Sequence, residues 1–339
     1  MTHKYDYHFI GIGGAGMSAL AQVLLQSGYR VSGSDARSSE TTRRLAALGA
    51  QVQIGHRAEI VAAARRVVVS SAIPAENPEL VRARELGIPI IHRGELLGQF
   101  VNARCGIVVA GSHGKTTTTA MLATVFIRAG TDPTVFLGGE LELLQGNARA
   151  GRGPYVIAEA DESDGSFLRL WPELAVITNI EDDHLINYGH DRNRLVAAFR
   201  QFARQVCAEG TIFLCADDST TAALAPDVRC TRVSYGLCPE GVTGSRRHYT
   251  LRDLKRVPKG IGSTFTLEIR QHGSEVPPAG YQGLQVTLQI PGRHNVQNAL
   301  AVLAVAAEQG LDPALTAAAL NEFRGAGRRF QIAGERAGI

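Results

Sequence analysis

The first hundred residues alternate between short apolar runs and longer helix-like runs. The apolar runs predict strands at 7–12, 29–33, 66–70 and 88–91. The helix-like runs lie near 16–27, 39–48, 77–86 and 94–101. This alternation favours an α/β fold with a parallel, doubly wound, Rossmann-like sheet.

Beyond residue 104 the same alternation continues and then gives way to another pattern. Apolar runs predict buried strands of a central sheet near 106–110, 155–159, 174–178 and 211–215. Residues 246–290 alternate polar and apolar side chains between glycines and prolines, which predicts a small antiparallel sheet packed on one side. Two helices are expected near 295–309 and 313–322.

The length of 339 residues exceeds that of a typical single domain. The polar stretch 102–104 separates the two patterns, so the boundary is placed there. We expect a Rossmann-like domain at 1–103 and a central α/β domain at 104–328, with 329–339 as the start of a further domain.

Composition excludes some classes of protein. The apolar fraction is 45% and the charged fraction 20%, as in ordinary globular proteins, and the net charge of +3 does not argue for nucleic-acid or membrane partners. No apolar stretch is long enough to span a bilayer, and the first residues lack the apolar core of a signal peptide. The five cysteines are odd in number and lack Cys-x-x-Cys spacing, so reduced thiols in a cytoplasmic protein are expected.

The most informative segment follows the predicted strand at 106–110. The strand ends at Gly111, and Gly114-Lys115-Thr116 then opens a helix-like run. This order places backbone N–H groups and a lysine at a helix N-terminus, where nucleotide phosphates bind. The P-loop pattern is matched in part, because Val109 stands where that pattern has its first glycine. The alternative is a strand-to-helix turn with a surface lysine, which leaves the four threonines after Lys115 without a purpose.

A second glycine-rich turn follows the first predicted strand. Gly11, Gly13 and Gly16 fit the dinucleotide fingerprint, and Asp35 stands where a ribose-binding acid would fall. A plain glycine turn and a nicotinamide-dependent oxidoreductase are the alternatives. Two such turns in successive α/β units suggest an enzyme that holds two phosphorylated molecules.

Acidic residues follow the predicted strand at 155–159. Glu159 is at the strand's carboxyl end, where open α/β sheets bind ligands, and with the Thr116 hydroxyl it could bind Mg²⁺. The alternative for Asp161, Glu162 and Asp164 is a solvated acidic loop.

Three further positions are candidates. His184 follows acids at the end of another predicted strand, although a lone histidine is more often a packing or surface residue. Asn295 and Asn298 lie one helical turn apart and could contact a nucleotide, or Asn295 could cap the helix. Arg329 could hold a γ-phosphate or lie in a basic surface turn.

Taken together, these segments resemble the Mur ligase family over essentially the whole chain. The phrases that match, in order, are GIGGAGMS (11–18), SSAI (70–73), HRGE (92–95), GSHGKT (111–116), EADESD (159–164), NIEDDH (179–184), GRHNVQN (292–298) and GRRF (327–330). Each phrase is modest evidence, and the ordered set is specific.

The resemblance implies an activity. It implies an ATP-dependent ligase that joins L-alanine to UDP-N-acetylmuramate through an acyl phosphate in peptidoglycan biosynthesis, as a monomer or weak homodimer. The family branch that attaches a recycled tripeptide shares the lysine turn, but it usually differs in the N-terminal glycines and often has Tyr where this chain has Ser163. Folate-type glutamate ligases also use a shortened lysine turn, but the N-terminal glycine-rich domain argues against them.

The resemblance also implies residue roles. For ATP it implies Gly111, Ser112, His113, Gly114, Lys115, Thr116 and Thr117, with Asn295 and Asn298 on the adenine side and Arg329 at the γ-phosphate. Thr116 and Glu159 would bind one Mg²⁺ and His184 a second, so Lys115, Glu159 and His184 form the catalytic set. For the UDP-sugar it implies Gly11, Gly13, Gly14, Ala15, Gly16, Met17, Ser18, Asp35, Ser70, Ser71, His92 and Arg93.

Two departures from the family pattern are visible. Family members carry a third domain after Arg329, so we expect that these 339 residues bind UDP-N-acetylmuramate but turn over little, either as a truncated ligase or as a non-catalytic binding fragment. Asn187 stands where the family commonly has aspartate, which puts a role for that position in doubt.

Overall fold

The structure, a computed structural model, describes residues 3–183, 185–258, 260–271 and 276–327. These residues form two sheets, an N-terminal sheet and a central sheet, joined through the short segment between residues 101 and 105. Among them, no helix is both long enough and apolar enough to cross a bilayer.

The N-terminal sheet is parallel throughout. Its strands are β1 (Tyr7–Ile10), β2 (Val31–Asp35), β3 (Gln51–Ile54), β4 (Val67–Val69) and β5 (Ile90–His92). The helices that connect and follow them are α1 (Ala15–Gln26), α2 (Glu40–Ala47), α3 (Pro78–Glu85) and α4 (Arg93–Val101). Within the described chain the strand order is β3-β2-β1-β4-β5, which is a doubly wound arrangement.

The predicted parallel α/β fold is confirmed, and one strand of this sheet was missed. β3 has the sequence QVQI, and its first and last residues are exposed because the strand lies at the sheet edge. A short edge strand half made of glutamine lacks the apolar run on which the prediction relied.

The central sheet is larger and mixed. Its strands are β6 (Cys105–Ala110), β7 (Thr134–Leu141), β8 (Gly146–Arg149), β9 (Tyr155–Glu159), β10 (Leu174–Ile177), β11 (Thr211–Cys215), β12 (Thr231–Tyr235), β13 (Arg247–Arg256), β14 (Ser263–Gln271) and β15 (Gln285–Leu288). The accompanying helices are α5 (Lys115–Arg128), α6 (Arg192–Arg204), α7 (Ser219–Ala222), α8 (Arg293–Glu308) and α9 (Pro313–Glu322). In the described part of the chain the order is β15-β14-β13-β12-β11-β10-β6-β9-β7-β8.

The antiparallel strands predicted for 246–290 are present, but they do not form a separate sheet. β13 pairs in parallel with β12 and antiparallel with β14, and β14 pairs antiparallel with β15. These strands therefore extend the central sheet. The expected packing of a small sheet on one side was wrong because the amphipathic pattern does not say to which strand an edge is joined.

Both faces of the central sheet are covered. Along β6, Ile107 and Val109 pack with α5, α8 and α9, whereas Val108 and Ala110 belong to the core on the opposite face. Successive strand residues point to opposite faces, so a strand buried on both sides is apolar throughout. This explains why β6 was readable from sequence as a continuous apolar run.

The opposite face is covered partly by the N-terminal unit. Leu20 and Leu24 of α1 share one apolar core with Phe136 of β7 and Ala148 of β8. Phe100 of α4 packs on Phe136 with ring centroids 5.3 Å apart. The two sheets are therefore joined by a continuous core rather than by a loose linker.

Truncation of this shared core should destabilise the whole chain. We expect Phe136→Ala to lower the free energy of unfolding by about 3 to 5 kcal/mol, because Phe136 is 4% exposed and its removal leaves a cavity between the units. Denaturant unfolding monitored by circular dichroism and by tryptophan fluorescence should show a single coincident transition. Ile186→Ala is the control, since Ile186 is 71% exposed, and separate transitions in the wild type would contradict the shared core.

Candidate functional site

The turn after β6, residues 111–116, is here called the lysine loop. Gly111 and Gly114 have φ values of 138° and 83°, in the region that favours glycine. A Cβ on Gly111 would lie 2.0 Å from the Thr178 hydroxyl, and one on Gly114 would lie 2.7 Å from Oδ1 of Asn298. Both positions thus require glycine for backbone conformation and for space.

The end of β10 holds the lysine loop in shape. The amide of His113 donates to Oδ1 of Asn179 (2.8 Å), and the Thr178 hydroxyl donates to the His113 carbonyl (2.6 Å). The Ser112 amide donates to the Asn179 carbonyl at 2.9 Å. The first-turn amides of α5 have no intrahelical acceptor and point out of the helix start, as in anion-binding helix termini.

Lys115 is the first residue of α5, and its ammonium is held inside the site. Nζ donates to the carbonyls of Gly111 (2.5 Å) and Ser112 (3.0 Å) and to Oε1 of Glu162 (2.8 Å). The Lys115 side chain is 14% exposed and that of Glu162 is 2% exposed. Burial raises the pKa of the Glu162 carboxyl, an effect that the charge of Lys115 opposes.

Glu159 meets the lysine loop, as the strand-end argument predicted. The Thr116 hydroxyl donates to Oε1 of Glu159 at 2.9 Å, and the Gly138 amide donates to Oε2 at 2.8 Å. A carboxylate and a hydroxyl beside a phosphate-type turn are the donor set that Mg²⁺ uses together with phosphate oxygens and water. Among the described residues, no group of three or more acidic, His or Cys side chains is placed to hold a metal ion.

The turn after β1, residues 11–16, is here called the glycine loop. Gly11 has φ 79°, and the Gly13 amide donates to Oδ2 of Asp35 at 2.8 Å. A Cβ on Gly13 would lie 2.9 Å from the same oxygen. Asp35 also accepts from the Arg37 amide (3.2 Å), so its carboxylate shapes the loop in this structure.

The residues at and after the end of the glycine loop divide into exposed and buried groups. Gly14 and Ala15 are exposed at the start of α1, where anions bind. Met17 and Ser18, which were expected to contact the UDP-sugar, are 3% and 1% exposed. Because α1 packs on the central sheet, their side chains face the protein interior, and their contact with a UDP-sugar stays a prediction.

Ser71, His92 and Arg93 form a network with the acidic loop, defined as residues 159–164. The Gly94 amide donates to Nδ1 of His92 (3.2 Å), which leaves the ring proton on Nε2 facing the Ser71 hydroxyl at 3.0 Å. Ser71 in turn donates to Asp164 at 3.0 Å. Nη2 of Arg93 donates to Asp161 (2.7 Å) and Asp164 (2.8 Å). Ser70 lies half-buried at the end of β4, beside this network.

A cavity of about 280 Å³ separates the glycine loop from the lysine loop. Its lining includes Gly16 and Arg93 from the N-terminal unit and Lys115, Glu159 and Glu162 from the central unit. The two predicted anion-binding turns therefore face one common space.

A second cavity, of about 350 Å³, lies on the other side of the lysine loop. Its lining includes Gly114, Thr117, His294, Asn295 and Asn298. Asn295 donates to the Pro291 carbonyl at 2.7 Å, so it also bonds the turn before α8. The structure thus brings the two asparagines to the loop, beside this cavity.

The remaining candidates lie elsewhere. His184 and Arg329 fall outside the described residues. His113 is 57% exposed, with Nε2 3.5 Å from carboxylate oxygens of both Glu181 and Asp183. All five cysteines are free thiols, as expected.

Sequence analysis did not single out Gly138, Thr178 or Asn179, which support the site. Gly138 was visible only as a glycine within an apolar stretch. Asn179 was visible as the first residue of the phrase NIEDDH after a predicted strand, without a role of its own. Their contacts join segments more than twenty residues apart, and a single sequence carries no signal for such pairing.

Comparison with known proteins agrees with this architecture. The catalytic-domain model of the Mur ligase family matches residues 6–104, and the family's middle-domain model matches residues 109–306. The chain is 44% identical over 336 residues to UDP-N-acetylmuramate--L-alanine ligase from Bordetella petrii, a match that covers 99% of this chain and 69% of that protein. It is 46% identical, with the same coverage, to the protein of that name from Laribacter hongkongensis.

Solved structures give the same result. The chain resembles UDP-N-acetylmuramate-alanine ligase from Thermotoga maritima with a TM-score of 0.83 and 35% identity, covering 98% of this chain and 72% of that one. It also resembles UDP-N-acetylmuramate:L-alanyl-gamma-D-glutamyl-meso-diaminopimelate ligase from Neisseria meningitides, with a TM-score of 0.81 and 27% identity, covering 96% and 99%.

The His92 network predicts a pH dependence. Burial lowers the pKa of the His92 imidazole, although the nearby Asp164 carboxylate acts to raise it. As the pH falls, His92 is therefore protonated in the unfolded chain before it is protonated in the folded chain. The stability that neutral His92 contributes is present above about pH 6.5 and is lost as the pH falls through the folded-state pKa. Chemical denaturation between about pH 5 and 7.5 would measure it.

His92→Asn is the matched variant for this measurement. Asparagine can accept from the Gly94 amide as a helix N-cap but does not titrate in this range. The variant should lose stability less steeply than the wild type as the pH falls. Equal slopes, or a His92 pKa above 6.5 by NMR, would contradict the assignment.

Proposed function

This chain belongs to the Mur ligase family, and we propose that it is an ATP-dependent ligase that joins L-alanine to UDP-N-acetylmuramate in peptidoglycan biosynthesis. The observation that carries the proposal is the shared cavity, which has the glycine loop on one side and Lys115 with Glu159 on the other. A ligase that activates one phosphorylated substrate with another needs two anion-binding turns that face each other.

ATP is assigned to the lysine loop. Its phosphates would bind the first-turn amides of α5 and the Lys115 ammonium. The amides carry partial positive charge and the ammonium a full positive charge, and both lie at the start of the same helix. The second cavity, beside Thr117, Asn295 and Asn298, would take the adenine side.

Thr116 and Glu159 are the residues that would hold Mg²⁺. When bound, the ion supplies positive charge to the phosphate oxygens. Glu159 is already aimed at this position by the Gly138 amide and the Thr116 hydroxyl.

UDP-N-acetylmuramate is assigned to the glycine loop. Its diphosphate would bind the exposed start of α1 at Gly14 and Ala15, and Arg93 lies next to this point, 3.2 Å from the position of a Cβ on Gly16. Ser71 and His92 lie beside Arg93 and present hydrogen-bonding groups to the sugar.

The proposed chemistry has two steps. The lactyl carboxylate of the sugar attacks the γ-phosphorus of ATP, and the bond to the β,γ-bridging oxygen breaks to give an acyl phosphate and ADP. The amine of L-alanine then attacks the acyl carbon, loses a proton and expels inorganic phosphate. Lys115 holds the transferring group and stabilises its charge, so positioning and electrostatics supply most of the catalysis.

One other family activity, attachment of a tripeptide, remains as an outcome of the test. The tripeptide-attaching relative has a similar fold, but its identity of 27% is well below the 44% and 46% of the alanine ligases. Comparing L-alanine with the tripeptide as acceptor separates the two activities. Low turnover by these 339 residues stays a prediction, which phosphate release would measure.

The two ligand assignments should be separable by mutation. We expect Lys115→Ala to abolish binding of a magnesium complex of a non-hydrolysable ATP analogue and to preserve binding of UDP-N-acetylmuramate. Arg93→Ala should do the opposite, and weaken the sugar nucleotide about tenfold or more by removing a charged hydrogen-bond donor. Titration calorimetry measures both affinities.

Lys255→Ala is the control for removal of a positive charge, because Lys255 is an exposed lysine on β13. It should leave both affinities unchanged. Loss of both ligands in both site variants, with unchanged melting temperatures, would contradict the assignment of separate sites.

The orientation of Glu159 gives a further prediction. A Cβ at Gly138 would lie 2.7 Å from Oε2 of Glu159, so Gly138→Ala should push the carboxylate away from Thr116. We expect the magnesium-dependent affinity for the ATP analogue to fall about 10- to 100-fold, as for supporting residues of metal sites. Gly139→Ala, whose nearest contact is the Thr116 methyl at 3.2 Å, should have a smaller effect. Equal effects of the two changes would contradict the role of Gly138.

A further inference from the structure

The acidic loop contacts the cationic side chain of each anion-binding turn. Glu162 accepts from Nζ of Lys115 at 2.8 Å, while Asp161 and Asp164 accept from Nη2 of Arg93 at 2.7 and 2.8 Å. Lys115 belongs to the lysine loop, and Arg93 lies beside the glycine loop. One segment of four residues therefore neutralises the cations of both sites.

Internal hydrogen bonds make this segment a single compact turn. The amide and hydroxyl of Ser163 both donate to Oδ1 of Asp161, at 3.0 and 2.6 Å. The Ser166 amide donates to Oδ1 of Asp164 at 3.0 Å. The Gly165 amide donates to the Glu162 carbonyl at 3.1 Å and the Phe167 amide donates to the Asp161 carbonyl at 3.3 Å, so the three carboxylates belong to one hydrogen-bonded turn.

The contact between Glu162 and Lys115 carries a cost of its own. Glu162 is 1% exposed, and its Oε2 has no hydrogen-bond partner among the described residues. A buried carboxylate oxygen without a donor is unfavourable. The Glu162 carboxylate thus occupies the place of an anion at Lys115 without satisfying its own hydrogen bonds.

We infer that the carboxylates of Asp161, Glu162 and Asp164 make the contacts with Lys115 and Arg93 that the anionic groups of the two ligands make when bound. We further infer that displacement of this turn by either ligand strengthens binding of the other. The identity of the ligands rests on the proposed function. The carboxylates hold Lys115 and Arg93 in place while the sites are empty, and each ligand must replace them.

The coupling follows from the shared turn. A ligand that takes Arg93 removes two of the three ion-pair contacts of the turn, so the remaining contact of Glu162 with Lys115 is easier to break. The phosphates of the second ligand then meet a Lys115 that is less strongly held. By linkage, the second ligand strengthens binding of the first by the same factor.

Neutral variants of the turn test the inference. In the wild type, we expect UDP-N-acetylmuramate to bind about 5- to 150-fold more tightly when the magnesium complex of a non-hydrolysable ATP analogue is present. In the absence of the ATP analogue, the double variant Asp161→Asn/Asp164→Asn should bind UDP-N-acetylmuramate more tightly than the wild type does. In the variant that also carries Glu162→Gln, the coupling factor should approach one.

A gain in affinity on removal of charged groups from a site is not what a structural role predicts. Asp227→Asn is the matched control, because Asp227 also accepts from two arginines, Arg200 and Arg204, outside the cavity. It should leave the affinities and the coupling unchanged. Unchanged or weaker sugar-nucleotide binding by the Asp161/Asp164 variant, with a melting temperature equal to the wild type, would overturn the inference, as would a wild-type coupling factor of one or less.

Calorimetry with each ligand alone separates this inference from the proposed function. If the wild type binds neither ligand, the proposed function fails, and the inference fails with it. If both ligands bind to the wild type but do not influence each other, only the inference fails. Glu162→Gln with the ATP analogue alone adds a readout that does not depend on the sugar, and a loss of affinity there would count against the displacement of Glu162.

Discussion

The packing of α1 between the two sheets is the constraint on which the site depends. Its amino end carries the glycine loop, and its body is tied to β8 by hydrogen bonds from Gln22 to the Ala148 carbonyl (2.6 Å) and from Asn147 to the Ala15 carbonyl (2.8 Å). Apolar residues of the same helix share a core with the central sheet. The glycine loop is therefore held at one distance from the lysine loop, and reaction between groups bound at the two turns requires such fixed geometry.

Strands that are buried on both faces could be predicted from sequence, and other strands could not. β6, β9, β10 and β11 were predicted because their residues are almost all apolar. β7 contains two consecutive glycines at 138 and 139, β8 has the sequence GNAR, and β12 alternates polar residues with Val233 and Tyr235, so none of them stands out as an apolar run. Tertiary packing rather than local preference determines that these segments are strands.

The candidate site shows the same division. The meeting of Thr116 with Glu159 could be predicted because β6 and β9 are parallel neighbours whose carboxyl ends meet at one edge. The contact of Arg93 with Asp161 and Asp164 could not, because it joins the end of one sheet to a turn beyond another. The burial of Met17 and Ser18 was missed for a related reason, since the glycine fingerprint does not reveal that the face of α1 beyond the turn packs on a second sheet.

The balance of charge in the cavity connects the fold with the ligands. Four carboxylates lie on the acidic loop, at Glu159, Asp161, Glu162 and Asp164, whereas the cations that contact this loop are Lys115 and Arg93 among the described residues. Three of these carboxylates, Glu159, Asp161 and Glu162, line the cavity together with Lys115 and Arg93, and a divalent cation would offset this excess of negative charge. The four acids of this loop therefore differ in the groups that they contact. Glu159 accepts from the Thr116 hydroxyl, at the position proposed for Mg²⁺, and the other three contact the cations to which we assign the anionic groups of the substrates.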